Sequence, residues 1–376
     1  MNKKEIYLPG LNGVRFLAVL FVIIAHIESF KYRLGFKQVF DLVYRGHLGS
    51  FGVTIFFTLS GFLITYLLKA EIQLTGTINT RNFYIRRILR IWPLYFLMVI
   101  ICLFIIPKIP FFFNVYGESF AHHKYFWLHF LLLIVMLPNI SLILTLLPYG
   151  NILWSIGVEE QFYLVWPVIL KKTKKSILFV AIVCLSVFII LKIFFAAIAS
   201  KGYGSLAWQF ISWSRYSCLL IGAIAVELSG RKLLKTKWVQ ILALSAFLLM
   251  LTNTISFHYF YLFKSETQAT IVAILLINIS LNEDSFIKLE NKVLNYLGKI
   301  SYGLYIYHLF AITITLKLLS GLYTTISYTA WSAIVFIGTV TLTILLAHIS
   351  YFYFERKILR KKLKYSVIVS GDQAKH

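Results

Sequence analysis

NGVRFLAVLFVIIAHIESF, residues 12–30, reads as a membrane-spanning helix, yet it carries Arg15 and His26. Apolar runs of roughly 20 residues are what a bilayer core requires. Eleven residues at about 100° each make three turns plus about 20°, so Arg15 and His26 share one helix face, about 16 Å apart along the axis. A charge in a span costs several kcal/mol unless it meets a cavity or a partner. Two readings stand side by side. One is a polar passage along this face. The other is an arginine snorkelling to the interface and a satisfied core histidine.

The rest of the chain agrees with a membrane setting. It has 376 residues, 59% of them hydrophobic and only 14% charged, with a mean hydropathy of +0.80. That is far from the balance of soluble domains. Apolar runs recur at about 9–29, 49–69, 91–107, 125–147, 152–170, 176–198, 208–229, 238–256, 266–281, 297–318 and 329–354. No series of short alternating strands is present, which excludes a barrel. The fold class is therefore all-α, a polytopic transmembrane bundle. The net charge of +23 is read as basic loops gathered on one membrane side rather than as a nucleic-acid surface. Cys102, Cys184 and Cys218 lie in apolar runs without metal spacing, so they are packing residues and no metal is expected. The first run lacks a small-residue cleavage site and is expected to stay as a helix.

Charge placement orders the spans. With Lys3 and Lys4 cytoplasmic, the first hairpin returns inside before Arg81, Arg86, Arg87 and Arg90. The basic runs KKTKK (171–175), RKLLKTK (231–237) and RKILRKKLK (356–364) all fall inside only if 125–147 enters the membrane without spanning. The Pro138-Asn139 pair supplies a break. About ten spans result, plus one re-entrant or partial segment, with both termini cytoplasmic. Residues 1–365 form one membrane domain; 366–376 form a short polar tail that is too small to fold as a further domain.

Four more motifs carry chemistry. FYIRRILRIWPLY (83–95) puts Arg87 and Arg90 three residues apart on one face. Paired guanidiniums suit phosphate, although a plain basic anchor is the commoner use, and Arg86 is read as one. GNILWSIGVEEQFYLVWP (150–167) places Glu159 and Glu160 inside a span. Entering from outside, Glu159 would lie about 12 Å deep, near the depth of His26. One of these glutamates could orient the imidazole, or make a structural ion pair with Arg15 or Arg215. GVTIFFTLSGFLI (52–64) holds Ser60 and Gly61, which suit close helix packing better than a nucleophile, with Ser60 also a candidate cavity-lining residue. LGKISYGLYIYHLF (297–310) brings His308 among Tyr302, Tyr305 and Tyr307. His308 and Tyr305 either line the cavity or form a core histidine–tyrosine pair. His348, Glu227 and Glu355 are weaker candidates.

Taken in order, LPGLNGVRFLAVLFVIIAH, GVTIFFTLSGFLI, FYIRRILRIWPLY, LWSIGVEEQFYLVWP and LGKISYGLYIYH resemble acyltransferase family 3, the integral-membrane acyltransferases that modify envelope glycans. The resemblance runs over about residues 8–360 and includes the Arg-x10-His spacing at Arg15 and His26. It implies acetyl-CoA or another acyl-CoA as the cytoplasmic donor. It also implies a glycan or lipid-linked saccharide acceptor on the far side, in the cytoplasmic (inner) membrane, with no nucleic acid and no metal. The essential histidine of the family falls on His26. The matching arginines are Arg15, Arg87 and Arg90, which become the donor-binding residues. His26, with Glu159 or Glu160, becomes the catalytic group. Asn12 stands where relatives often carry arginine. Some relatives add a soluble esterase-like domain, which is not expected after Tyr365. A different class remains open on the residues alone: a proton-coupled transporter or flippase of a lipid-linked saccharide also uses intramembrane Arg, His and Glu. The missing internal repeat argues against it.

Overall fold

The structure, a computed structural model, describes residues 4–40, 42–115, 126–144, 147–173, 176–252 and 261–370. Among the described residues the regular secondary structure is helical except for two short strands. Strand β1 (Lys4–Ile6) pairs in parallel with β2 (Ile368–Ser370), Lys4 opposite Ile368, so both ends of the described chain meet at one end of the bundle. Part of the tail, 371–376, lies outside the described residues.

In chain order the helices are α1 (Leu11–Arg33), α2 (Leu42–Thr75), α3 (Thr80–Ile100), α4 (Phe126–Ile134), α5 (Pro138–Leu144), α6 (Leu153–Lys172) and α7 (Ile177–Ala199). There follow α8 (Ser205–Ser214), α9 (Tyr216–Leu228), α10 (Lys237–Leu251), α11 (Lys264–Leu281), α12 (Lys292–Lys299), α13 (Ser301–Leu318), α14 (Tyr328–Ser350) and α15 (Arg356–Lys361). Among the described residues, six helical stretches are long and apolar enough to cross a membrane: Leu11–Arg33, Gly46–Thr75, Thr80–Lys108, Ile177–Ala199, Ser205–Leu228 and Tyr328–Tyr365. The sequence suggests about ten. The four other long apolar runs became α6, α10, α11 and α13, which are short or carry charge. Helices covered by neighbours need less apolar surface than helices facing lipid. Glu159 and Glu160 on α6 and the 13 buried residues of α13 show that trade.

Burial sorts the helices into layers. The Gly46–Thr75 stretch has a mean hydropathy of 1.9 and is 72% buried, whereas Ile177–Ala199 has 3.0 and is 17% buried. Helix α2 is thus central and α7 peripheral. Helix α2 packs most extensively on α1 and α9. The crossing with α9 is tight because it is made of small residues: a Cβ at Gly61 would stand 1.9 Å from the Leu219 carbonyl oxygen, and one at Gly222 2.1 Å from that of Thr58.

The 125–147 run folds as two short helices, α4 and α5, of 9 and 7 residues. The chain turns between them at Met136 (φ 60°), and Pro138 opens α5. His129 Nδ1 lies 2.6 Å from Ser141 Oγ, tying the two arms together. At 1.5 Å per residue neither arm reaches across the roughly 30 Å of hydrocarbon. Residues 125 and 145–146 lie outside the described residues.

Candidate active site

Two cavities lie along α1. The first, of about 100 Å³, is lined by Arg15 of α1, Ser60 of α2, Arg87 and Arg90 of α3, and Glu159 and Tyr163 of α6. The second, of about 330 Å³, is lined by His26, Arg33, Asn151, Trp154, Trp213 and Arg215, among others. Val53 and Tyr305 line both. The 11-residue spacing on one helix face thus separates two compartments, and Tyr305 stands in the wall between them.

The first cavity holds an excess of positive charge. No Asp or Glu oxygen lies within 4.0 Å of the guanidinium of Arg15, Arg87 or Arg90 among the described residues. Arg15 Nη1 donates to Asn12 Oδ1 at 2.7 Å. Arg87 is 7% exposed, lies over the rings of Phe83 and Tyr163, and has a buried Nε without a hydrogen-bond partner. Unmatched cations held among apolar groups are costly. An anion in this cavity would remove that cost, and guanidiniums match phosphate in a bidentate fork.

Glu159 is the one carboxylate on this cavity's lining. Ser60 Oγ donates to its Oε1 at 2.9 Å and Tyr163 OH to its Oε2 at 2.9 Å. Ser60 therefore faces the cavity while its neighbour Gly61 meets α9. Glu160 points elsewhere, accepting from Trp92 Nε1 at 2.9 Å. The expected pairing of His26 with Glu159 or Glu160 is not what the structure has: neither carboxylate is a hydrogen-bond partner of His26. A depth of about 12 Å for Glu159 requires the outer surface to lie about eight residues before it. Tyr149 is fully buried and Asn151 and Ile152 already line the His26 cavity, so α6 begins at the level of His26 and carries Glu159 down to Arg15.

His26 meets His308 instead. His26 Nδ1 lies 3.0 Å from His308 Nε2, and His308 Nδ1 lies 2.6 Å from the Tyr305 carbonyl oxygen. A carbonyl only accepts, so His308 Nδ1 carries a proton. In a neutral His308 the Nε2 is then bare, and His26 Nδ1–H donates to it. With that tautomer the basic nitrogen of His26 is Nε2. Helix α13 presents Tyr302, Tyr305 and His308 at three-residue steps, one face of the helix. Tyr302 OH donates to the Ile91 carbonyl at 2.9 Å. Tyr305 OH donates to the Ile152 carbonyl at 2.9 Å and lies 2.8 Å from Ser155 Oγ. Tyr305 thus ties α13 to the start of α6 at the wall.

The weaker candidates have structural partners. Glu227 pairs with Lys69 at 2.8 Å, Glu355 accepts from Ser350 Oγ at 3.0 Å, and His348 meets Tyr296 OH. Arg86 is not a plain anchor: it pairs with Glu71 at 3.1 Å and donates to the Tyr365 carbonyl at 2.7 Å. Arg33, Asn151 and Trp213 were not picked out from the sequence, and Arg215 was named there only as a possible ion-pair partner of the glutamates; Arg33 ends α1 and Arg215 follows α8. No group of three or more His, Cys, Asp or Glu side chains could hold a metal ion among the described residues.

A cavity lined by three arginines thus shares Val53 and Tyr305 with a cavity lined by His26. The family model described as an acyltransferase domain (Acyl_transf_3) matches residues 8–348. The chain belongs to acyltransferase family 3. It is 29% identical over 392 aligned residues to the "Putative O-acetyltransferase SACOL0978" of Staphylococcus aureus (strain COL), covering 96% of this chain and 59% of that protein. It is 33% identical over 174 residues to the peptidoglycan O-acetyltransferase OatA of Listeria monocytogenes, covering 44% of this chain and 24% of OatA. The chain therefore spans about three fifths of the staphylococcal relative's length. No solved structure matches it. It is a multi-pass membrane member of this family, with O-acetyltransferases among its relatives.

Proposed function

We propose that the chain is a membrane-bound O-acyltransferase that moves an acyl group, acetyl first among them, from acyl-CoA to a hydroxyl of a cell-envelope glycan or lipid-linked saccharide. The observation that carries this is that the two cavities share Val53 and Tyr305, with three arginines on one side and His26 on the other. Arg15, Arg87 and Arg90 hold the phosphates of the CoA head. Its long thin arm runs past Tyr305 and presents the thioester beside His26. His26 Nε2 takes the proton of the acceptor hydroxyl as its oxygen attacks the thioester carbonyl. The carbon–sulfur bond breaks, and CoA leaves as a thiolate that is protonated to the free thiol. His308 orients His26 and keeps the proton off Nε2 in the resting state.

The membrane arrangement follows from the same reading. Adding α6, α10, α11 and α13 to the six long stretches gives ten crossings, with α4 and α5 as the partial segment. The β1–β2 pairing supports a common side for both termini. Arg81, Arg86 and the basic α15 gather toward that end, which the positive-inside tendency assigns to the cytoplasm. The membrane is then the cytoplasmic one, with the arginine cavity facing the donor. The test supplies acetyl-CoA labelled in its acetyl group to membranes containing the chain and follows label into the glycan fraction. Label there, and none with His26→Ala, is the expected result. Label that enters equally with His26→Ala overturns it.

A further inference from the structure

The basic run RKILRKKLK (356–364) carries six lysines and arginines, and five of them keep contact with solvent. Lys362 does not: it is 7% exposed. A lysine that only anchors a helix end lets its ammonium reach water, so anchoring does not account for this burial. Among the described residues the Lys362 ammonium has neither an ion-pair nor a hydrogen-bond partner. It lies near enough to Arg86, Arg87, Arg90 and Arg15 to be repelled by each.

The surrounding chain holds Lys362 in this place. It opens the turn Lys362–Tyr365, which packs on α3. Arg86 Nη1 donates to the Tyr365 carbonyl at 2.7 Å, and the pairing of β2 with β1 ties down the segment beyond. A third cavity, of about 20 Å³, is lined by Glu71, Phe83, Arg86, Arg87 and Lys362, among others. It has room for one small group rather than for a nucleotide. Glu71 is the one acidic residue on this lining, and both its oxygens are taken: Oε2 by Arg86 at 3.1 Å and Oε1 by the Asn79 amide at 2.9 Å. That leaves Lys362 and Arg87, whose buried Nε has no hydrogen-bond partner.

Arg87 lines this cavity and the arginine cavity alike. Cations therefore continue from Lys362 through Arg87 to Arg15 and Arg90. Like charges gathered away from water are costly unless an anion meets them. CoA carries its anions in a matching order: a phosphate monoester on the ribose, then the diphosphate, then the long arm. A phosphate monoester brings about two negative charges at neutral pH, and a lysine meets such a group as a point charge.

We propose that Lys362, together with Arg87, binds the ribose 3′-phosphate of CoA, while the arginine cavity takes the diphosphate. This adds a donor-specificity residue to the acyl-transfer reading and rests on it.

The test uses the full chain solubilised in detergent, titrated by calorimetry with CoA and with dephospho-CoA, which lacks only the 3′-phosphate. The unaltered chain should bind CoA at least about tenfold more tightly than dephospho-CoA. In Lys362→Met the affinity for CoA should fall to about that for dephospho-CoA, and the affinity for dephospho-CoA should stay as it was. That unchanged affinity also reports that the variant is folded. Lys362→Gln, which keeps a polar head, is the second variant should Lys362→Met not fold. Lys361→Met removes an exposed charge from the same run and should leave the tenfold difference in place. Equal binding of the two nucleotides by the unaltered chain, or a difference that survives in the Lys362 variants, overturns the proposal and leaves the acyl-CoA reading standing. Binding of neither nucleotide removes both.

Discussion

His26 and His308, 282 residues apart in sequence, share one hydrogen bond of 3.0 Å between Nδ1 and Nε2. His308 is held in turn by the Tyr305 carbonyl at 2.6 Å. A histidine thus occupies the place that a carboxylate takes in a Ser-His-Asp triad, where the third group fixes the tautomer of the base. A neutral partner is suited to a site deep in the bundle, where a second buried charge would be costly.

His308→Phe removes the acceptor for His26 Nδ1–H and frees the tautomer. We expect kcat to fall by about 100-fold or more, with the KM for acetyl-CoA within about twofold. His308→Gln can still accept through its amide oxygen and should recover part of the loss. Steady-state kinetics on the two variants checks this. Equal loss in both, or a loss confined to KM, would assign His308 a packing role only.

Arg87→Ala should weaken CoA binding by about tenfold or more while sparing kcat at saturating donor, since the guanidinium meets the donor head and not the reacting carbon. Arg87→Lys should rescue little, because a lysine cannot reproduce the fork or the placement over Phe83 and Tyr163. Calorimetric titration with CoA reads this directly. Unchanged CoA affinity in Arg87→Ala would remove this arginine from the phosphate clamp.

Lys192 on α7 donates to both oxygens of Glu266 on α11, at 2.7 and 2.8 Å, and Ser217 Oγ on α9 donates to Oε1 at 2.7 Å. Lys192→Met leaves a buried carboxylate with one partner fewer. It should destabilise the bundle by about 3–5 kcal/mol, whereas Lys192→Met with Glu266→Leu should recover much of the loss. Unfolding of the detergent-solubilised variants measures it. A neutral Lys192→Met would show the pair to be dispensable.

Gly61→Val would press a side chain onto the Leu219 carbonyl, 1.9 Å from the ideal Cβ position. Backbone cannot yield as a flexible side chain can, so we expect a lower unfolding temperature and a cost of about 1–3 kcal/mol. Gly46→Val, with open space around it, is the control that should leave the unfolding temperature unchanged. Equal effects would mean that crowding at α2–α9 is not limiting.

Much of the site was legible because it is written in local spacing. The shared face of Arg15 and His26 and the Arg87–Arg90 step both follow from 3.6 residues per turn. The partner of His26 was not legible, since α1 and α13 are far apart in sequence and nothing in either says that they pack side by side. The level of Glu159 was misjudged for a related reason: the buried turn before α6 sinks the helix start into the bundle, and residue counting from a presumed surface misses that. The break in 125–147 was legible from Pro138, because proline opens a helix more readily than it continues one. Six rather than ten stretches read as spans by length and apolarity: α10 is only 15 residues long, while a helix wrapped by its neighbours, as α13 is, is released from the need to be greasy all round.

The measurement that tests the central claim most directly is release of free CoA from acetyl-CoA by the purified chain, beside His26→Ala. The account predicts release that requires His26, with acetyl-CoA binding retained in the variant. Equal release from both proteins would contradict it.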